Sequence, residues 1–168
     1  MSELKGMRKL NKTIKKQLEP FGIEKAKLST EYSYVFSKNM VTYKLTESIE
    51  DEYFNDFVFE RFGYKVENNF IFSLLHEVGH HVANDEIEGM IYNFCQEEKE
   101  RIETDMQFAE TEEEVKKLEF EYFGLPDEIM ATQWAVKYAV DHPFELQVMW
   151  ACIKESLCNF YTKNGLTE

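Results

Sequence analysis

Chain breakers are scarce in this 168-residue sequence, with only 3 Pro and 7 Gly. Few breakers and abundant Glu, Lys and Leu predict a mostly helical protein. Cysteine is scarce too. Cys95, Cys152 and Cys158 are odd in number and form no CxxC pair, which excludes a disulfide framework and a Cys-based zinc site and leaves core or free thiols. Long apolar runs are missing: the longest, Phe70-Ile71-Phe72-Ser73-Leu74-Leu75, is far too short to span a bilayer. The opening MSELKGMRKLNKTIKK lacks the apolar core of a signal peptide, so a cytoplasmic protein is expected. Basic residues are the minority, 19 against 32 acidic, for a formal net charge of -13. That balance argues against a body that embraces nucleic acid, which needs clustered Lys and Arg, and against an anionic membrane surface as partner.

What is present is enough for one folded unit. Hydrophobic residues make up 43% and aromatics 15%, so residues 1–168 are expected to form a single domain with its own core. The charge is segregated. Residues 1–30 sum to +5 and the remainder to -18, with much of the negative charge in a run over 97–121. The first segment reads as a basic amphipathic helical arm, with Leu4, Met7, Ile14 and Leu18 at helical spacing. The acidic run reads as a solvated helical insert that borders any neighbouring cleft.

Between them, Tyr32, Tyr34 and Phe36, then Val41, Tyr43 and Leu45, alternate around Lys38-Asn39, the pattern of a β-hairpin. A hairpin edge of this kind is a candidate surface for binding an extended substrate. Ser48 with Asp51 marks a helix start and Gly63 its stop, and Tyr53, Phe54, Phe57, Val58 and Phe62 form the apolar face. A second helix is predicted over 67–82, ended by Asn84 and Asp85. A third contains Met90, Ile91, Phe94, Cys95 and Ile102. Thr111 and Glu114 form a capping box, and Pro126 and Pro143 open the last two helices. The expected fold class is α+β: mostly helical, with a small antiparallel sheet.

Chemistry concentrates in His76-Glu77-Val78-Gly79-His80, an HExxH pattern inside a predicted helix. Residues four apart share a helix face, so both imidazoles can reach one metal ion, and Glu77 is placed to take a proton from water there. His81 lies about 100° around the helix from His80 and reads as a supporting or surface histidine. The third ligand is open at this level. Glu86, with its neighbour Asp85, lies six residues past His80, but Ala83 stands where a metzincin turn needs Gly. Glu128 is the stronger candidate. It sits near the start of a helix whose Ala131 and Ala135 share its face and allow close approach to a second helix, and Asp127 in the same turn is a substitute. His142 and Tyr138 lie about 21 Å and about 15 Å farther along that helix, too far to share the site. Tyr161 and the hairpin tyrosines are open candidates for stabilising the transition state.

HEVGH, followed about fifty residues on by Glu128, Ala131, Trp134, Ala135 and then Pro143, resembles the ImmA/IrrE family of small zinc metallopeptidases. Thr132 and Trp134 stand where the family pattern has Asn and Phe, and neither departure falls on a proposed ligand. The resemblance implies a zincin-like fold, a Zn2+ ion held by His76, His80 and Glu128 in the gluzincin manner, and Glu77 as catalytic base. It also implies a phage or mobile-element relative that cleaves a regulatory protein. The helix-turn-helix that many family members carry is not visible; residues 1–30 are too short for it. The expected function is therefore a cytosolic zinc-dependent metallopeptidase whose partner is a protein or peptide substrate. The alternatives are a non-catalytic zinc-binding regulatory or protein-interaction module, and a helical interaction protein without metal.

Overall fold

The structure, a computed structural model, describes residues 5–83 and 89–166. Asn84, Asp85 and Glu86 lie outside the described residues. Within them the chain forms seven α-helices and one three-stranded sheet. No helix among these residues is long and apolar enough to cross a membrane.

The arm over residues 1–30 is not helical throughout. Helix α1 runs Met7–Leu18 and buries Leu10, Ile14 and Leu18 against α7 and β1, with its lysines outward. A 3-10 turn at Glu19–Phe21 follows, and Gly22 takes the left-handed conformation at φ 87°. A backbone of that hand suits glycine because no Cβ meets the carbonyl. The chain then enters strand β1, Lys25–Leu28, where Ala26 and Leu28 alternate with exposed lysines. Four residues of alternation inside a lysine-rich stretch give too weak a local signal to separate from an amphipathic helix.

The hairpin forms as expected, though with shorter strands: β2 Ser33–Val35 pairs antiparallel with β3 Met40–Tyr43 through a 3-10 turn and a left-handed Asn39. The sheet as a whole is mixed, which corrects the antiparallel expectation. Its order is β1-β3-β2, with β1 parallel to β3 in the register Ala26↔Val41. Asn39 ties the two connections together: its Nδ2 donates to the Gly22 carbonyl at 2.9 Å, and its own carbonyl accepts from the Glu24 and Lys25 amides. β3 lies in the middle and buries Val41 and Tyr43 completely, while β2 is an edge strand.

Helix α2, Ile49–Phe62, begins at a complete Ser48/Asp51 capping box and ends at Gly63, both as predicted. Helix α3, Asn69–Ala83, starts where Asn68 Oδ1 accepts the Ile71 amide, and it is the core helix, buried on almost every face from Ile71 to Gly79. The acidic run forms two antiparallel helices, α4 Gly89–Met106 and α5 Glu112–Phe123, the latter from the Thr111/Glu114 box. α5 buries no residue fully, in keeping with a solvated pair, and it rests on α2 while α4 reaches α6. Helices α6, Pro126–Asp141, and α7, Pro143–Asn164, open at the two prolines. α6 lies along α3 more extensively than any other two elements meet. The contact is that close because α3 offers Gly79 and α6 offers Ala131, both without a side chain beyond Cβ.

Candidate metal centre

Three donors converge where α3 and α6 touch. His76 and His80 stand one turn apart on α3, with their Nε2 atoms 3.2 Å from each other. Glu128, in the first turn of α6, brings Oε2 to 3.0 Å from His76 Nε2 and 3.4 Å from His80 Nε2. The three residues thus form a buried group positioned to bind a metal ion. Bonds of about 2.0–2.1 Å in a tetrahedron separate neighbouring ligands by about 3.3 Å, and the observed sides bracket that value. Two imidazoles and a carboxylate are also the donor types that zinc takes, with a fourth position left open.

His76 is held from behind. Thr132 Oγ1 lies 3.1 Å from His76 Nδ1; in the tautomer with its proton on Nδ1 the hydroxyl accepts that proton and the Nε2 lone pair is left to the centre. The Phe54 ring packs edge-on against His76 with centroids 4.9 Å apart. Thr132 is thus not a ligand but touches one, a role its place in the motif does not reveal. Its only signal in the sequence is the four-residue spacing from Glu128, which sets it on the same helix face. Burial alone would raise the Glu128 carboxyl, but the His80 and His76 rings outweigh it and hold the group well below the ordinary carboxylate range.

Glu77 is also buried. Burial is the largest influence on its carboxyl and Glu128 adds to it, while His76, Lys99 and a hydrogen bond from the Tyr34 backbone pull the other way; the result is a group raised to about 7. His81 points away from the three donors. Its Nδ1 lies 2.7 Å from the Tyr34 hydroxyl, and its Nε2 stands 3.0 Å from where a Gly22 Cβ would be. It is a half-buried support for the β2 edge, and that edge in turn supports Glu77.

Lys99 is absent from any motif and yet reaches the centre. From α4 its Nζ donates to Glu128 Oε1 and to Asp127 Oδ2, both at 2.5 Å, and lies 5.2 Å from the centre of the Tyr122 ring. A single lysine in an acidic run carries no signal of such a role, since its direction depends on how α4 meets α6. Asp127 is therefore an ion-pair partner beside the ligands and not one of the three. Tyr138 and His142 stack on each other at 4.4 Å, outside the cleft described below, as the helix arithmetic requires. The Tyr161 hydroxyl donates to the Leu45 carbonyl at 3.4 Å, and Tyr43 is buried with its hydroxyl on Asn11. Of the tyrosines, Tyr32, Tyr34 and Tyr122 line the cleft with the donors, as does Tyr92.

The donors sit in a cavity of about 790 Å³. Edge strand β2 forms one wall with Ser33 and Tyr34, and α4 and α5 form the opposite wall with Lys99, Glu100, Glu103, Glu119 and Tyr122. The acidic insert thus borders the cleft. Glu31, Glu50 and Asp51 add further negative charge, and the two lysines of the lining, Lys44 and Lys99, are each already bonded to carboxylates. Comparison with known proteins finds no match among protein-family profiles, curated sequences or solved structures.

Proposed function

We propose that this chain is a zinc-dependent metallopeptidase that hydrolyses a peptide bond in a basic, extended segment of a protein. The observation that carries the reading is the His76, His80 and Glu128 triangle with the buried Glu77 beside it, on the floor of a cleft walled by an edge strand. When bound, the ion supplies Lewis acidity, acidifying water and polarising a carbonyl. The chain's own groups do the rest. Glu77, poised near neutrality, accepts a proton and returns it to the leaving amine. Thr132 orients His76, and β2 offers its free side to an extended peptide in the manner of strand addition.

The resemblance of HEVGH and the Glu128 helix to the ImmA/IrrE family supports the same reading and favours a regulatory protein as substrate. A non-catalytic zinc module needs the ligands but has no use for a buried, unneutralised base, so the intact Glu77 favours the enzyme. The test is metal analysis together with peptide cleavage on the purified protein. Wild type should hold one zinc per chain, and His76→Ala and Glu128→Ala should lose it. Glu77→Gln should keep zinc and lose cleavage. Cleavage by Glu77→Gln at the wild-type rate would remove Glu77 as base. Zinc retained in Glu128→Ala would return the third-ligand role to Glu86 or Asp85.

A further inference from the structure

The two oxygens of Glu128 face different surroundings. Oε2 turns inward to the imidazoles, 3.0 and 3.4 Å from their Nε2 atoms. Oε1 turns outward and accepts the Lys99 ammonium at 2.5 Å. The same ammonium binds Asp127 Oδ2, so one cation links two adjacent carboxylates that are both buried, 5% and 4% exposed. Without it Asp127 would sit uncompensated in low dielectric, a costly arrangement, and Glu128 would keep only its imidazole partners. Lys99 is itself shielded, with its side chain 14% exposed and the Tyr122 ring beside its ammonium. The other oxygen of Asp127, Oδ1, is buried and has no hydrogen-bond partner.

We propose that Lys99 is a positioning residue of the metal centre: by occupying Glu128 Oε1 and Asp127 Oδ2 it restricts Glu128 to one coordinating oxygen and withholds Asp127 from the ion. This rests on the metal reading above and adds to it. A carboxylate with both oxygens free can chelate, and an aspartate in the same turn with a free oxygen can swing in. Either change adds a ligand and closes the position a substrate or water needs. An ammonium suits the task because it is a compact charge with three donors, two of which are used here. The acidic insert is then more than a cover over the cleft, since α4 supplies a part without which the ligand set is not defined.

The test uses Co2+ alone as probe, titrated into the metal-free full chain. Four-coordinate cobalt absorbs visible light far more strongly than five- or six-coordinate cobalt, so the band reports ligand number independently of activity. Wild type should give the intense band at one ion per chain. Lys99→Met, close in length and without charge, should still bind one ion but lose the band several-fold. Lys99→Arg, which keeps charge and two-point donation, should restore it. Circular dichroism checks the fold, and if Lys99→Met does not fold, Lys99→Gln takes its place with the same two outcomes. An unchanged band in the neutral variant overturns the role of Lys99 while leaving the metal reading intact, and so does a loss that Lys99→Arg fails to restore. A wild type that binds no cobalt overturns both.

Discussion

A Cβ on Gly79 would stand 2.4 Å from the carbonyl oxygen of Ala131 and 2.8 Å from its Cα. Helices α3 and α6 therefore meet backbone against backbone one residue before His80 and three after Glu128. The three candidate donors are close because this contact is close. Its cause is local: two residues with nothing beyond Cβ face each other, one of them with no Cβ at all.

Gly79→Ala is accordingly expected to destabilise the protein and weaken metal binding together. In an open helix the change would stabilise by up to about 1 kcal/mol, since alanine is the better helix former. Here the obstacle is backbone, which cannot rotate aside, and overpacking of this kind costs about 1–3 kcal/mol. A urea midpoint at or above wild type, with zinc affinity unchanged, would show that the two helices separate freely.

The parts of this site that were legible in the sequence are those whose geometry one helix sets. That His76 and His80 share one face needs only the helical repeat, and the Ser48/Asp51 and Thr111/Glu114 boxes need only three residues of spacing; the two rings meet and both boxes form. The place of Glu128 depends on which helix is the neighbour, and the alanines on its face mark the side of close approach. Lys99, Thr132 and the Tyr34–His81 pair escaped because their roles arise between elements. Strand β1 escaped for the same reason: Lys25–Leu28 is a strand because β3 lies beside it, and its side chains alone do not ask for one.

Thr132 offers a graded test of support behind a ligand. Thr132→Val keeps shape and removes the hydroxyl that faces His76 Nδ1. Loss of such a partner typically lowers metal affinity about 10–100-fold. Thr132→Ser keeps the hydroxyl and should stay near wild type. A competition titration with a zinc chelator separates the two, and equal affinities for Val and Ser would mean that the ring is oriented by packing against Phe54.

Glu119 predicts a pH dependence of stability away from the ligands. It lies half-buried on the α5 wall, and burial, with Glu50 adding and Lys44 opposing, raises its carboxyl to about 7. An acid whose pKa is higher folded than unfolded opposes folding once the unfolded form ionises. The cost is absent below about pH 4.5, grows through the interval and is complete above about pH 7. Glu119→Gln should thus be more stable than wild type at pH 8, by about 1–2 kcal/mol after allowance for solvent screening, and gain nothing at pH 4. Denaturant midpoints of both proteins at the two pH values check the sign, and a gain confined to pH 4 would contradict it.

Charge should govern which peptides the cleft accepts. Its rim carries the exposed Glu31, Glu50, Glu100 and Glu103, while Lys44 and Lys99 are committed to Asp51 and to the Asp127–Glu128 pair. An incoming acidic peptide meets repulsion with no unpaired lysine or arginine among the described residues of the lining to offset it, whereas lysine or arginine side chains meet several carboxylates at once. Peptides matched in length but opposite in charge should therefore differ in kcat/KM, the basic one favoured by at least about tenfold, which corresponds to about 1.4 kcal/mol. Because the rim is solvent-exposed, the preference should shrink as salt is raised from 0.01 to 0.5 M and the Debye length falls well below 10 Å. Reversing Glu100 and Glu103 to lysine should reduce the preference while leaving the metal content unchanged, because the ion pairs of Lys99 are with Asp127 and Glu128 and neither glutamate belongs to the three-donor group. An acidic peptide cleaved as readily as a basic one at low salt would show that strand pairing along β2, and not the charge of the insert, selects the substrate.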